Sequence, residues 1–115
     1  MAELSRLIAG VQPVAVPSLE GQLAGTWKFG RVGGALLCNV TLTLTPGQHG
    51  YVLSACHANE SFWKLDGQDL LFLHADGAVT SRLSRVDAQY WDGPYIPHPL
   101  TPCNGPCPRH YISRR

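Results

Sequence analysis

The stretch Cys38-Asn39-Val40-Thr41-Leu42-Thr43-Leu44-Thr45 alternates without a break, apolar at the even positions and polar at the odd. A period of two marks a β-strand with one face in a core and the other in water. On either side of it, from Gly25 onward, the chain consists of short β-rich runs separated by turn residues. Eight candidate strands result, at 25–31, 36–45, 50–56, 61–65, 69–74, 78–84, 87–92 and 109–114. The turns fall at Gly33-Gly34, Pro46-Gly47, His57 to Glu60, Asp66-Gly67, Asp76-Gly77 and Arg85-Val86. Asp66-Gly67 and Asp76-Gly77 suit two-residue hairpins, because primed turns need positive φ and these residues tolerate it.

Hairpins in series make a meander, and eight short strands in about 90 residues would leave two long exposed edges if the sheet stayed flat. Closing the sheet on itself removes both. The expected fold is therefore all-β: an eight-stranded antiparallel up-and-down β-barrel spanning 23–115, preceded by an extended N-terminal tail at 1–22. A barrel of eight strands has an interior that side chains just fill, or that holds one small ligand. The expected lining is Trp27, Leu36, Val40, Leu42, Leu44, Val52, Phe62, Leu65, Leu71, Leu73, Leu83 and Tyr90. These are mostly bulky, which favours a filled core over a hollow one.

Length and charge narrow the function classes. A chain of 115 residues is one domain. A formal net charge of +1 gives no electrostatic basis for binding nucleic acid. No run approaches the roughly 20 apolar residues of a membrane span, and Glu3 and Arg6 stand where a secretory leader would keep an unbroken apolar centre. Four cysteines in a short chain with 15% charged residues suit an oxidising compartment, so a periplasmic or secreted monomer is expected, with the leader absent from this chain.

No catalytic constellation is present in the sequence. His49, His57, His74, His98 and His110 form no His-x3-His or His-Glu-x2-His pair, no serine sits in a Gly-x-Ser-x-Gly elbow, and Asp66, Asp69 and Asp76 occupy turns. A non-enzyme without metal or cofactor is expected. Asn39-Val40-Thr41 and Asn59-Glu60-Ser61 match glycosylation sequons, but such short patterns arise by chance.

Residues 93–108 hold Pro94, Pro97, Pro99, Pro102, Pro106 and Pro108, and so are not expected to form a central strand. Within this Pro-rich loop Cys103-Asn104-Gly105-Pro106-Cys107 reads as a small turn closed by its own disulfide. The competing reading, a metal site of Cys103, Cys107, His98 and His110, has C-x3-C spacing in place of the C-x2-C of zinc knuckles. Trp27 is expected in the barrel core, at its floor, where Arg114 or Arg115 from the last strand would stack on the indole.

Taken in order, Leu23-Ala24-Gly25-Thr26-Trp27, Cys38 with its alternating strand, Cys56, Trp63-Lys64-Leu65, and Leu70-Leu71-Phe72-Leu73 with Asp76-Gly77 resemble the bacterial serralysin inhibitor (Inh) family, which includes related outer-membrane lipoproteins. The match runs over most of residues 17–93. The resemblance implies a calycin-like barrel, a disulfide between Cys38 and Cys56, and inhibition of secreted zinc metalloproteases of serralysin type. It further implies that the N-terminal segment lies extended in the protease cleft, pairing as a substrate would, with its first residue approaching the zinc. The alternative is a lipocalin-like small-ligand binding protein of the periplasm, which Gly-x-Trp also fits.

The chain departs from the family in having 24 residues ahead of Gly25, about twice what the resemblance implies. With the whole tail present, Met1, Ala2, Glu3, Leu4 and Ser5 form the zinc-proximal end. With residues 1 to about 11 removed, that end falls at Val11, Gln12, Pro13 and Val14. Eleven extended residues span up to about 36 Å, so the two cases place the barrel differently on the protease. Peptide mapping under non-reducing conditions is expected to join Cys38 to Cys56 and Cys103 to Cys107; a link between the two pairs would break the strand order.

Overall fold

The computed structural model describes residues 18–55, 60–96, 103, 105 and 107–115. A short helix, α1 (Leu19–Leu23), leads into eight strands: β1 (Gly25–Arg31), β2 (Leu36–Pro46), β3 (Tyr51–Ala55), β4 (Phe62–Asp66), β5 (Asp69–Leu73), β6 (Val79–Asp87), β7 (Tyr90–Pro94) and β8 (Arg109–Ser113). Each strand pairs antiparallel with its neighbours, and β8 closes on β1, giving the expected closed barrel in the order β1 to β8. Hairpins form at both Asp-Gly sites and Gly67 and Gly77 have φ of +64° and +94°, but the first turn is Gly67-Gln68, between the paired Asp66 and Asp69, and the second is a longer loop between Leu73 and Val79 in place of a two-residue turn.

Three expectations about boundaries need correction. Residues 19–22, placed in the extended tail, form α1 together with Leu23 instead, capped by Ser18, whose Oγ accepts from Gly21 N at 2.9 Å. The β6–β7 turn lies at Ala88-Gln89 rather than Arg85-Val86, because Asp87 Oδ1 accepts from Gln89 N at 2.8 Å and builds an Asx turn there. Gly93 and Pro94, assigned to the Pro-rich loop, belong to β7 and pair with His110 and Arg109. Pro94 is the last residue of its strand, where the ladder tolerates a missing donor. The rest of that loop lies mainly outside the described residues, but the Cys103–Cys107 disulfide within it is formed as expected. Cys38 is disulfide-bonded; Cys56, the partner expected for it, lies outside the described residues.

The interior is filled. Trp27, Trp63, Trp91, Phe29, Phe72, Leu42, Leu70, Leu83, Val40 and Ile112 are fully buried. Phe29 and Phe72 meet with ring centroids 5.7 Å apart, and the indole N–H of Trp63 donates to Thr43 O at 2.9 Å. Ser81 and His110 add a buried polar pair, with Oγ and Nδ1 2.9 Å apart.

The lining differs from expectation in phase on several strands. In β3 and β4 Leu53 and Trp63 are buried in the core, not Val52 and Phe62; in β7 it is Trp91, not Tyr90. Pairing decides the phase: Leu42 faces Leu53, Tyr51 faces Trp63 and Trp91 faces Ile112, and partners across a ladder share a face. Runs such as Tyr51-Val52-Leu53 and Phe62-Trp63 are apolar at both parities, so their own pattern fixes no face. In β5 all of Leu70, Leu71, Phe72 and Leu73 are buried, but only Leu70 and Phe72 join the core cluster. Leu44, expected inside, is 47% exposed, since the β2–β3 register shifts between Leu42 and Pro46 and ends the alternation there. The side chain of Leu36 lies outside what is described.

At Gly93 the two strands come close together: a Cβ built there would collide with Arg82 O, 2.8 Å from Arg82 C and 3.0 Å from Leu83 Cα. All three atoms are backbone of β6 and cannot rotate aside. Gly93→Ala is expected to destabilise the barrel by about 3 kcal/mol, read as a drop in the urea midpoint, whereas Gly67→Ala, with open space around it, meets only the strain of its positive φ.

Candidate functional site

The end of the barrel that receives residue 18 is built from α1, the start of β1, the β6–β7 turn and the last residues of the chain. Leu19 packs on the core and Leu23 is buried in it, an i, i+4 pair that seats one face of α1 across the barrel floor. The helix then stops at Ala24, which is extended. Gly25 follows with φ of +122°, and a Cβ there would lie 2.9 Å from an Arg114 guanidinium nitrogen. The glycine of Gly-x-Trp is thus required twice, by its backbone angle and by the arginine that occupies its side-chain space.

Arg114 ties this end together. Its guanidinium carbon lies 4.0 Å from the Trp27 ring centroid. Its nitrogens donate to Gln22 O at 2.8 Å, Leu23 O at 3.3 Å and Ala24 O at 2.6 Å, which are carbonyls left over where α1 ends. The Trp27 indole N–H donates to Leu23 O at 2.8 Å, so the ring that carries the arginine also holds the helix. Burial lowers the Arg114 pKa from its ordinary value, but the planar group stays cationic. Of the two arginines expected to stack on Trp27, it is Arg114 that does so. Arg115 turns outward, 5.2 Å over the Tyr90 ring and 2.7 Å from Asp87 Oδ2.

Beside α1 lies a pocket of about 20 Å3, room for about one water molecule. Leu19, Leu23, Trp27 and Trp91 line it, with Gln22 and Arg85 as its polar members. Arg85 is exposed and has no hydrogen-bonded or ionic partner among the described residues. Its neighbour Val86 is 58% exposed. Neither residue stood out in the sequence, because both fell in the misplaced turn.

Of the residues expected to act, Trp27 is in the core as anticipated. Met1 to Ser5 and Val11 to Val14 lie outside the described residues, as does His98 of the alternative metal set. His110, from that set, is inside the barrel against Ser81 and the Phe29 ring, whose centroid is 5.0 Å from its own. Among the described residues no group of three His, Cys, Asp or Glu side chains is placed to hold a metal ion, and no helix is long and apolar enough to cross a membrane.

Because Arg114 joins α1 to the floor, Arg114→Met is expected to lower the unfolding free energy by about 2 kcal/mol in urea titrations and to change Trp27 fluorescence. Arg115→Met, which removes an exposed ion pair, is expected to cost about 0.5 kcal/mol or less. Equal effects would show that the stacked arginine is not what holds the floor.

Comparison with known proteins adds the last constraint. No match is found among curated proteins. The family model described as protease inhibitor Inh matches residues 18–96, from the cap of α1 to just beyond β7. A barrel of this topology, closed by an arginine over the Gly-x-Trp tryptophan and matched over more than half its length, belongs to the Inh family of protease inhibitors.

Proposed function

We propose that this protein inhibits secreted zinc metalloproteases of serralysin type, with its N-terminal segment laid in the active-site cleft and the barrel docked outside it. The observation that carries this reading is the root of that segment. Residues 1–17 join the barrel at Ser18, on a helix fixed by Arg114 and Trp27, so a free segment would leave a rigid platform in a set direction.

The segment inhibits by binding and catalyses nothing. An extended chain in the cleft pairs its backbone with the protease as a substrate does. An N-terminal residue near the zinc takes the place of the water the metal would activate, and offers no peptide bond in position for attack. Met1, Ala2, Glu3, Leu4 and Ser5 are the zinc-proximal residues of the full chain; Val11, Gln12, Pro13 and Val14 take that role if the first residues are removed. Pro13 and Pro17 reduce the freedom that the segment loses on binding. The barrel acts as a monomer in the periplasm or outside the cell, where the Cys103–Cys107 disulfide and a Cys38–Cys56 bridge persist.

The small-ligand carrier is less well supported, since it needs interior space and the fully buried Trp27, Trp63 and Trp91 occupy the middle of the barrel.

Titration of a serralysin-type protease with the full chain, with a chain beginning at Val11 and with one beginning at Ser18 tests the reading. The Ser18 form keeps α1 and its contacts intact. The full or the Val11 form is expected to inhibit at micromolar concentration or below, and the Ser18 form to be weaker by about 100-fold or more. No inhibition by any form sinks the assignment; equal inhibition by all three sinks the role of the segment.

A further inference from the structure

Of the two ends of the barrel, only one carries the connection to residues 1–17. A partner that takes up the part of that segment next to Ser18 meets this end of the barrel first. The surface of this end is made by α1, the β2–β3, β4–β5 and β6–β7 turns and the chain terminus. Leu44 and Val86, both large apolar residues at strand ends, stand exposed at 47% and 58%. Arg85 lies next to Val86 and reaches the pocket formed with Leu19 and Gln22, one helical turn from Ser18.

The charges here are unevenly matched. Asp87 is taken by Arg115 at 2.7 Å. Arg114 is committed to backbone carbonyls and Trp27. Arg85 has no partner among the described residues. An exposed guanidinium with no partner among the described residues suits a carboxylate side chain, whose oxygens accept from the fork of N–H donors. An exposed valine next to it supplies the apolar contact that such a pair needs for shielding from water.

We propose that Arg85 and Val86 form a second contact with the bound protease, in which Arg85 meets a carboxylate on the rim of the cleft and Val86 packs beside it. The proposal rests on the inhibitor reading above. It assigns the barrel a docking face, the end around α1 and the β6–β7 turn. The opposite end supplies the control, since Val32 and Ile96 are exposed there at 41% and 37% but lie away from Ser18.

The experiment compares the full chain with Arg85→Glu, Val86→Asp, Val32→Asp and Ile96→Asp, measuring association rate and inhibition constant against a serralysin-type protease over a series of salt concentrations. Thermal unfolding of each variant checks folding, and all four positions are exposed. Arg85→Glu is expected to slow association by about tenfold or more at low salt, with the gap narrowing as salt rises, and Val86→Asp to speed dissociation. Val32→Asp and Ile96→Asp are expected to inhibit as the parent does. If the parent inhibits and Arg85→Glu and Val86→Asp match it, or the loss appears at Val32 or Ile96 instead, the docking face is wrong while the inhibitor reading stands. If the parent does not inhibit, both fall.

Discussion

The guanidinium of Arg114 lying on Trp27 is the interaction on which the rest of this structure depends. It joins the segment after the last strand to the end of α1 and the first strand, which lie at the other end of the barrel's sequence. A closed barrel needs its final strand to find its first, and β8 pairs with β1 over only Lys28 to Arg31. The arginine extends that seam beyond the ladder. Lys28 reinforces it by donating from Nζ to Arg115 O at 2.6 Å. The contact is cationic, partly desolvated and satisfied by carbonyls that would otherwise be left open at the end of a five-residue helix.

The same constraint explains the sequence around it. Gly25 must lack a side chain because Arg114 occupies that space, Trp27 must be flat and large because it carries the arginine on one side and the core on the other, and Leu23 must offer its carbonyl to both. Gly-x-Trp is therefore a structural device. Its place at the floor, with an arginine from the end of the chain above it, was legible in the sequence because each residue type has one physical use there.

Other parts were less legible, for reasons that differ by residue. The order and number of strands followed from turn chemistry at Asp66-Gly67 and Asp76-Gly77, and β1 began and ended where its pattern said. The face that each strand buries did not follow where both parities are apolar, as in Tyr51-Val52-Leu53, because only the cross-strand partner chooses between them. Leu44 continues a clean alternation yet is exposed, since the ladder breaks register just before it. The sequence places a turn at Arg85-Val86, but β6 runs on to Asp87, whose carboxylate builds the turn that follows. The candidate site suffered most from this. Arg85 and Val86 were lost in a supposed turn, and α1 was hidden by Gly21 between its two leucines.

If residues 1–17 bind a protease as proposed, a rigid floor at Ser18 has a thermodynamic consequence. A segment joined to the barrel by a loose linker would lose the freedom of that linker on every binding event, in addition to its own. Here Ser18 caps a helix whose end is held by four described hydrogen bonds, three from Arg114 and one from Trp27. The helix itself then has little freedom left to lose, and in the sequence ahead of it Pro13 and Pro17 lie in the half nearest the barrel. The filled interior serves the same end. Because Trp27 is packed from inside by the core, the arginine rests on a firm surface, and the orientation of α1 is set by the whole barrel rather than by the short helix alone.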